Sequence, residues 1–196
     1  MSHRQRLRSQ GRAEKTKKEE RGGRCAAKKG SAVTSKLLEC DVEKAQQSVA
    51  LLVGTTKLQV MGWLQIADAC QGPPPRISFN KMSGVTEWKS ACVLWINLND
   101  HFPYYNEFSL HHNRLFVSWY GAASHTRESP VIQRLLDPDT PTVLFCRRLG
   151  EGYLNCGLIR VVEVSDSDGP SRICIKWELV QAAPVLEVIA QALINC

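Results

Sequence analysis

Five segments rich in β-branched and aromatic residues occupy the second half of the chain, and they limit the possible fold more than any other feature. They span residues 92–99, 114–121, 142–149, 153–165 and 172–180. The breakers "GEG" and "SDSDGPS" separate the last three segments, which predicts an antiparallel meander. Five or more strands with few helices predict a mixed α+β, mainly β fold, built as a small barrel rather than a βαβ sheet.

Two helices are predicted within and after this series of strands. "SPVIQRLL" begins with Ser129, whose side-chain oxygen is expected to cap the helix, and continues with Pro130 at the first helical position. "APVLEVIAQALI" at 183–194 is amphipathic and predicts a closing helix. We therefore assign residues 92–196 to one barrel with an inserted helix and a C-terminal helix.

Residues 37–91 have weaker patterns and are expected to form a helical or irregular extension before the barrel. "KLLECDVEKAQQSVALLV" has helical spacing, whereas "TKLQVMGWLQI" fits either a strand or a second helix. "QGPPPR" predicts a stiff, extended connector, and "FNKMSGVTEW" predicts a loop.

Residues 1–36 form a strongly basic tail. They carry 12 Lys or Arg and three acidic side chains, a balance of +9, whereas the remainder of the chain has a balance of −3 within the overall +6. Because the tail has almost no apolar side chains, it is expected to be disordered in isolation. Its two basic clusters resemble a nuclear import signal, and such clusters also bind the phosphates of nucleic acid. The alternative is that the tail only keeps the protein in solution. The residues predicted to contact phosphate are Lys15, Lys17, Lys18, Arg21, Arg24, Lys28 and Lys29.

The usual signatures of metal, cofactor, catalytic and membrane sites are missing from the sequence. The eight cysteines include no C-x-x-C pair, and no apolar run approaches the roughly 20 residues that cross a bilayer. P-loop, G-x-G-x-x-G and G-x-S-x-G motifs are also missing. His111 and His112 are expected on opposite faces of a strand, which makes them a poor chelate. We predict reduced thiols, no metal, no cofactor, no membrane span and no catalysis.

The stretch "WYGAASHTRES" carries the densest chemistry in the chain. Trp119 and Tyr120 are consecutive strand residues, so one is expected to enter the core while the other lines a surface. The loop after them adds His125 and Arg127 and leads into the predicted helix, whose first N–H groups can bind an anion. An aromatic platform beside such donors indicates a nucleotide site.

The order of several short motifs resembles a known family. "VLWINLN", "FPYYNEF", "NRLFVSWYG" and "ESPVIQRLL" are followed by "LFCRRLGEGYLNCGLIRVVEVS" and "WEL". This order resembles the uncharacterised C-terminal domain of bacterial superfamily II helicases and restriction-type nucleases, which is similar to SRA/PUA-like barrels. The resemblance implies a non-catalytic module that binds DNA or RNA and reads a flipped or modified base in an aromatic-lined pocket. The site residues it implies are Tyr105, Trp119 and Tyr120 as the platform, with His125, Arg127, Glu128 and Ser129 as polar contacts.

Two other functions remain open from the residues alone. A protein-interaction adaptor would use the aromatic groove for a peptide and the tail only for import into the nucleus; a fragment of a nuclease or helicase system is the third reading. A nuclear location is expected, with the cytoplasm as the alternative.

The remaining aromatic and charged residues of the strands have structural interpretations. Glu178 is expected to be a buried, partnered carboxylate, and Arg147 and Arg148 are more often found at a solvated edge than as a binding pair. The residues expected in the core are Trp95, Trp177, Phe145 and Leu158.

Overall fold

A computed structural model describes residues 39–65, 84–98, 106–148, 150–166 and 173–193. The predictions for the basic tail, for Tyr105 and for the "QGPPPR" connector lie outside these residues. The described helices are α1 (Val42–Gln47), α2 (Lys57–Leu64), α3 (Pro130–Leu136) and α4 (Ala182–Leu193). The described strands are β1 (Val85–Glu87), β2 (Cys92–Leu98), β3 (Glu107–His111), β4 (Arg114–Tyr120), β5 (Thr142–Arg148), β6 (Leu154–Asp166) and β7 (Ile173–Leu179).

The seven strands form one mixed sheet in the order β1-β2-β5-β6-β7-β4-β3. Strands β2 and β5 are parallel, and every other neighbouring pair is antiparallel. The predicted α+β, mainly β class and the β5-β6-β7 meander are confirmed. Strands β1 and β3 lie at the two ends of this order and do not pair with each other over the described residues, so the sheet is open there and barrel closure is not shown.

Side-chain alternation in β2 sends its residues into two separate cores. Leu94 and Ile96 join a core that includes Ile132 of α3 and Val185 of α4. Trp95 joins the other core, which includes residues of α1 and α2. Helices therefore cover both faces of this part of the sheet. Trp95, Phe145 and Trp177 are at least 95 % buried, as predicted for core residues, whereas Leu158 is partly buried.

Residues 39–65 pack in one of the two cores of the later residues, and β1 belongs to their sheet. Strand β1 pairs with β2, so the boundary predicted between residues 91 and 92 falls between two hydrogen-bonded neighbours. Helix α1 is shorter than predicted because the chain turns at Ala50, where φ is +67°, and then bonds to the start of β6. The Ala50 amide donates to the Asn155 carbonyl at 2.8 Å, and the Val53 amide donates to the Tyr153 carbonyl at 2.7 Å.

Two strands were not predicted, and the prediction that His112 lies in a strand was wrong. Strand β1 lies in the predicted loop "FNKMSGVTEW", and β3 begins in "FPYYNEF"; β1 is only three residues long, and β3 is mostly exposed and polar. His112 and Asn113 form a two-residue turn between β3 and β4 with φ of +47° and +60°. Because His112 lies in this turn rather than in a strand, its ring centroid lies only 4.0 Å from that of His111.

Candidate functional site

The predicted aromatic pair divides between the core and the surface. Trp119 is 3 % exposed and packs in the core with Ile173 and Ile175, whereas Tyr120 is partly exposed. This division follows the predicted alternation. It also means that the Trp119 ring offers no open face to a base, so the predicted platform role is corrected to a core role for this residue.

The loop after Tyr120 uses its polar groups within itself. His125 Nδ1 accepts from the Ala122 amide at 3.1 Å, and Ser129 Oγ accepts from the Thr126 amide at 2.9 Å. Ser129 is the N-cap of α3 as predicted, but its hydroxyl makes no capping bond to the helix. The Ser129 carbonyl instead accepts from the Gln133 amide at 2.9 Å. The side chains of His125 and Ser129, which were predicted to contact a ligand, therefore form hydrogen bonds that hold the loop itself together.

Arg127 and Glu128 are also engaged locally. Arg127 Nε donates to Asp166 Oδ1 at 3.1 Å, and Arg127 Nη2 donates to the Val164 carbonyl at 2.8 Å, which fastens the loop to β6. A hydrogen bond from the Thr126 side chain is the main reason why the pKa of Glu128 is lowered. Burial lowers the pKa of His125, which disfavours a positive charge on this side chain.

A cleft of about 240 Å³ lies elsewhere, at the carboxyl ends of the parallel strands β2 and β5. In open sheets that contain parallel strands, this end is where ligands commonly bind. Arg147, Arg148 and Glu151 supply the charged groups of the cleft. Its other lining residues are Leu52, Leu98, Cys146, Gly152, Leu154, Val188 and Ile189.

Arg147, which also lines this cleft, is held above an aromatic ring of the core that includes residues of α1 and α2. Its Nε donates to Asn97 Oδ1 at 3.0 Å, and its Nη1 donates to the Thr55 carbonyl at 3.1 Å. The guanidinium carbon lies 4.5 Å from the centroid of the Tyr153 ring. Because both hydrogen-bond acceptors are neutral, these bonds orient the guanidinium without cancelling its charge. Arg147 is thus a partly buried cleft residue rather than the solvated edge residue favoured from the sequence.

Lys57 supplies a second cation, above the Trp95 ring that contacts Tyr153. Its Nζ lies 5.4 Å from the centroid of the Trp95 ring, and the rings of Trp95 and Tyr153 lie 5.1 Å apart. Burial, and then the positive charge of Arg147, lower the pKa of Lys57 to about 8. We call Lys57 and Arg147 the cation pair. Each positive charge makes the charged form of the other side chain less favourable. A bound anion would therefore stabilise the charged forms of both.

The sequence did not predict the cation pair. Lys57 begins α2, while Arg147 is the next-to-last residue of β5, and only the packing of α2 on the sheet brings them together. The one sequence feature that pointed to a basic site here was the pair Arg147 and Arg148. Because consecutive strand residues point to opposite faces, this pair was interpreted as part of a solvated edge.

The described residues contain no group of three or more His, Cys, Asp or Glu side chains placed to hold a metal ion. Among the same residues, no helix has the length and apolar character needed to cross a membrane. Scans against models of known protein families and against curated proteins gave no match to this chain. The functional assignment therefore depends on the geometry of the cleft and on the sequence.

Proposed function

We propose that this chain is a non-catalytic nucleic-acid-binding module whose cation pair and basic tail contact phosphates. The observation that carries the proposal is the convergence of Lys57 and Arg147 above Trp95 and Tyr153, with Arg147 also lining the cleft. Two oriented cations suit the negative charge of a phosphate group, and Arg147 can still offer N–H groups to its oxygens. The tail adds 12 Lys or Arg, which favours sequence-independent attraction to a polyanion.

The finer proposal is that the fold is of the PUA/SRA type, works in the nucleus and reads an unpaired or modified base. The cleft beside Arg147 is a better place for such a base than Trp119, because it offers an open volume of about 240 Å³ whereas Trp119 is buried. Leu98, Leu154 and Ile189 would supply apolar contacts to a base, and Arg148 and Glu151 would supply polar groups for its edge.

Replacing the cation pair by glutamine, as K57Q/R147Q in the full chain, is expected to weaken binding to DNA or RNA oligonucleotides about tenfold or more, because charge-assisted contacts to phosphate are lost. Fluorescence anisotropy over a series of salt concentrations measures this. The slope of log K against log salt should fall by about two, one for each phosphate contact. K89Q is the matched control, since Lys89 is an exposed lysine paired with Glu39, away from the cleft.

A second full-length variant separates the tail from the cleft. In it, glutamine replaces the seven tail residues predicted to contact phosphate. Binding that depends only on the tail and is unchanged in K57Q/R147Q would reject the cation pair as a nucleic-acid contact. That outcome would favour the adaptor function, for which the exposed Leu52 and Val188 at the cleft provide an apolar contact surface.

The affinity for oligonucleotides is also expected to fall as the pH rises from 7 to 9. The phosphate favours the charged form of Lys57, whose pKa of about 8 in the free protein means that this charge is lost over that range. Binding at higher pH must therefore include the uptake of a proton. K57R is the control, because arginine stays charged and should remove this part of the pH dependence. An identical pH profile for the original chain and K57R would show that Lys57 does not contact the ligand.

A further inference from the structure

Two cysteines from adjacent strands lie in contact beneath the cleft. Cys146 Sγ on β5 and Cys156 Sγ on β6 are 3.3 Å apart. The two residues are 1 % and 0 % exposed, and both belong to the core shared with α3 and α4. None of the contacts proposed for nucleic acid uses this pair of thiols.

An irregularity in the β5–β6 ladder produces this contact. Phe145 pairs with Asn155 and Leu144 pairs with Gly157, so Cys156 is the extra residue of a β-bulge. Gly157 has a φ of +74°, in the left-handed region that favours glycine. The bulge allows Cys156 to reach the face on which Cys146 lies, although Cys146 itself pairs with Leu154.

One of the two thiols belongs to a residue in the wall of the cleft. Cys146 lines the cleft together with Leu98 and Ile189, whereas Cys156 does not. A small neutral oxidant such as hydrogen peroxide can therefore approach Cys146 first, with Cys156 placed behind it.

We propose that Cys146 and Cys156 form an oxidative modification site at which a hydroperoxide converts two thiols into one disulfide. The Cys146 thiolate attacks a peroxide oxygen, breaking the O–O bond and giving a sulfenic acid and, after proton transfer, one water. Cys156 sulfur then attacks Cys146 sulfur, the S–O bond breaks, and the departing hydroxide takes up the Cys156 proton as a second water. Two thiols and one hydrogen peroxide thus give one disulfide and two waters.

The sulfur atoms must move little for this reaction. Their separation has to decrease from 3.3 Å to about 2.05 Å, the usual length of a disulfide bond. Burial raises the pKa of the Cys156 thiol, so its reactive thiolate is scarce near neutral pH. Disulfide formation is therefore slow at pH 7 and is expected to accelerate as the pH rises.

The test treats the full, folded chain with excess hydrogen peroxide, blocks the remaining thiols and maps the peptides by mass spectrometry. The expected product is a peptide pair joined between Cys146 and Cys156, two hydrogens lighter than the separate peptides and separated again by dithiothreitol. C156S is expected to lose this product and to retain a sulfenic acid at Cys146 that dimedone traps. The same oxidation in denaturant is the reference, because unfolded cysteines pair without this preference. Recovery of both residues as free thiols, or pairing of either with another cysteine in the folded chain, would overturn the proposal.

Discussion

Replacing Asn155 by leucine is expected to lower the free energy of unfolding by about 3 kcal/mol, at roughly 1 kcal/mol for each buried hydrogen bond lost. Asn155 is 0 % exposed, and its Nδ2 donates to the carbonyls of Ala45 and Ser48 at 2.7 and 2.8 Å. Its Oδ1 accepts from the Gly157 amide at 3.0 Å. One side chain therefore joins the end of α1 to the bulge in β6, and leucine can make none of these bonds.

Urea denaturation followed by circular dichroism measures this loss of stability. Q47L is the control, because it also changes an amide to leucine near the end of α1 but removes only an exposed hydrogen bond to Glu43. The control is expected to change the free energy of unfolding by less than about 0.5 kcal/mol. Equal stability of N155L and the original chain would mean that α1 docks on the sheet without this connection.

The elements that the sequence predicted well are those specified by local patterns. The β5-β6-β7 meander follows from branched and aromatic residues between strong turn signals, and α3 begins at Pro130 as its sequence indicates. Strand β3 was missed because most of its side chains are exposed, so it lacks the apolar content by which a strand is recognised. It is stabilised instead by its pairing with β4.

The candidate site was predicted less well, because residue type does not specify which partner a side chain will find. His125, Arg127 and Ser129 were selected as ligand-binding groups, yet each makes a bond within the loop or to β6. The cation pair depends on contacts between α2 and β5, which lie far apart in sequence and which no local pattern reveals. Glu178 was expected to be buried and partnered, and this prediction is confirmed.

Glu178 lies on β7 between two arginines from neighbouring strands. Its Oε1 accepts from Arg114 Nε at 2.5 Å, its Oε2 accepts from Arg160 Nε at 2.8 Å, and Arg114 Nη2 completes a two-pronged contact. The Glu178 side chain is 7 % exposed, whereas those of Arg114 and Arg160 are 52 % and 63 % exposed. This carboxylate therefore connects β4, β7 and β6 across the face of the sheet opposite α3 and α4.

E178Q keeps the shape of the side chain but removes its negative charge, and it is expected to lower the free energy of unfolding at pH 7 by about 2 kcal/mol. Breaking a fully buried ion pair costs about 3–5 kcal/mol, and solvent around the two arginines reduces that figure here. E163Q is the matched control, because Glu163 is an exposed glutamate on β6 and should change stability by less than about 0.5 kcal/mol.

The effect of E178Q is also expected to depend on pH in one direction. Hydrogen bonds from Arg114, and then from Arg160, lower the pKa of Glu178 from 4.5 to about 2 in the folded chain. Because the folded state binds this proton less readily than the unfolded state, the stabilisation is fully present above about pH 4.5 and is lost as the pH falls toward 2. Urea denaturation at several pH values should show the stabilities of the original chain and E178Q converging over that range. A difference that stays constant from pH 7 to pH 2 would mean that the ionised carboxylate is not the source of the stabilisation.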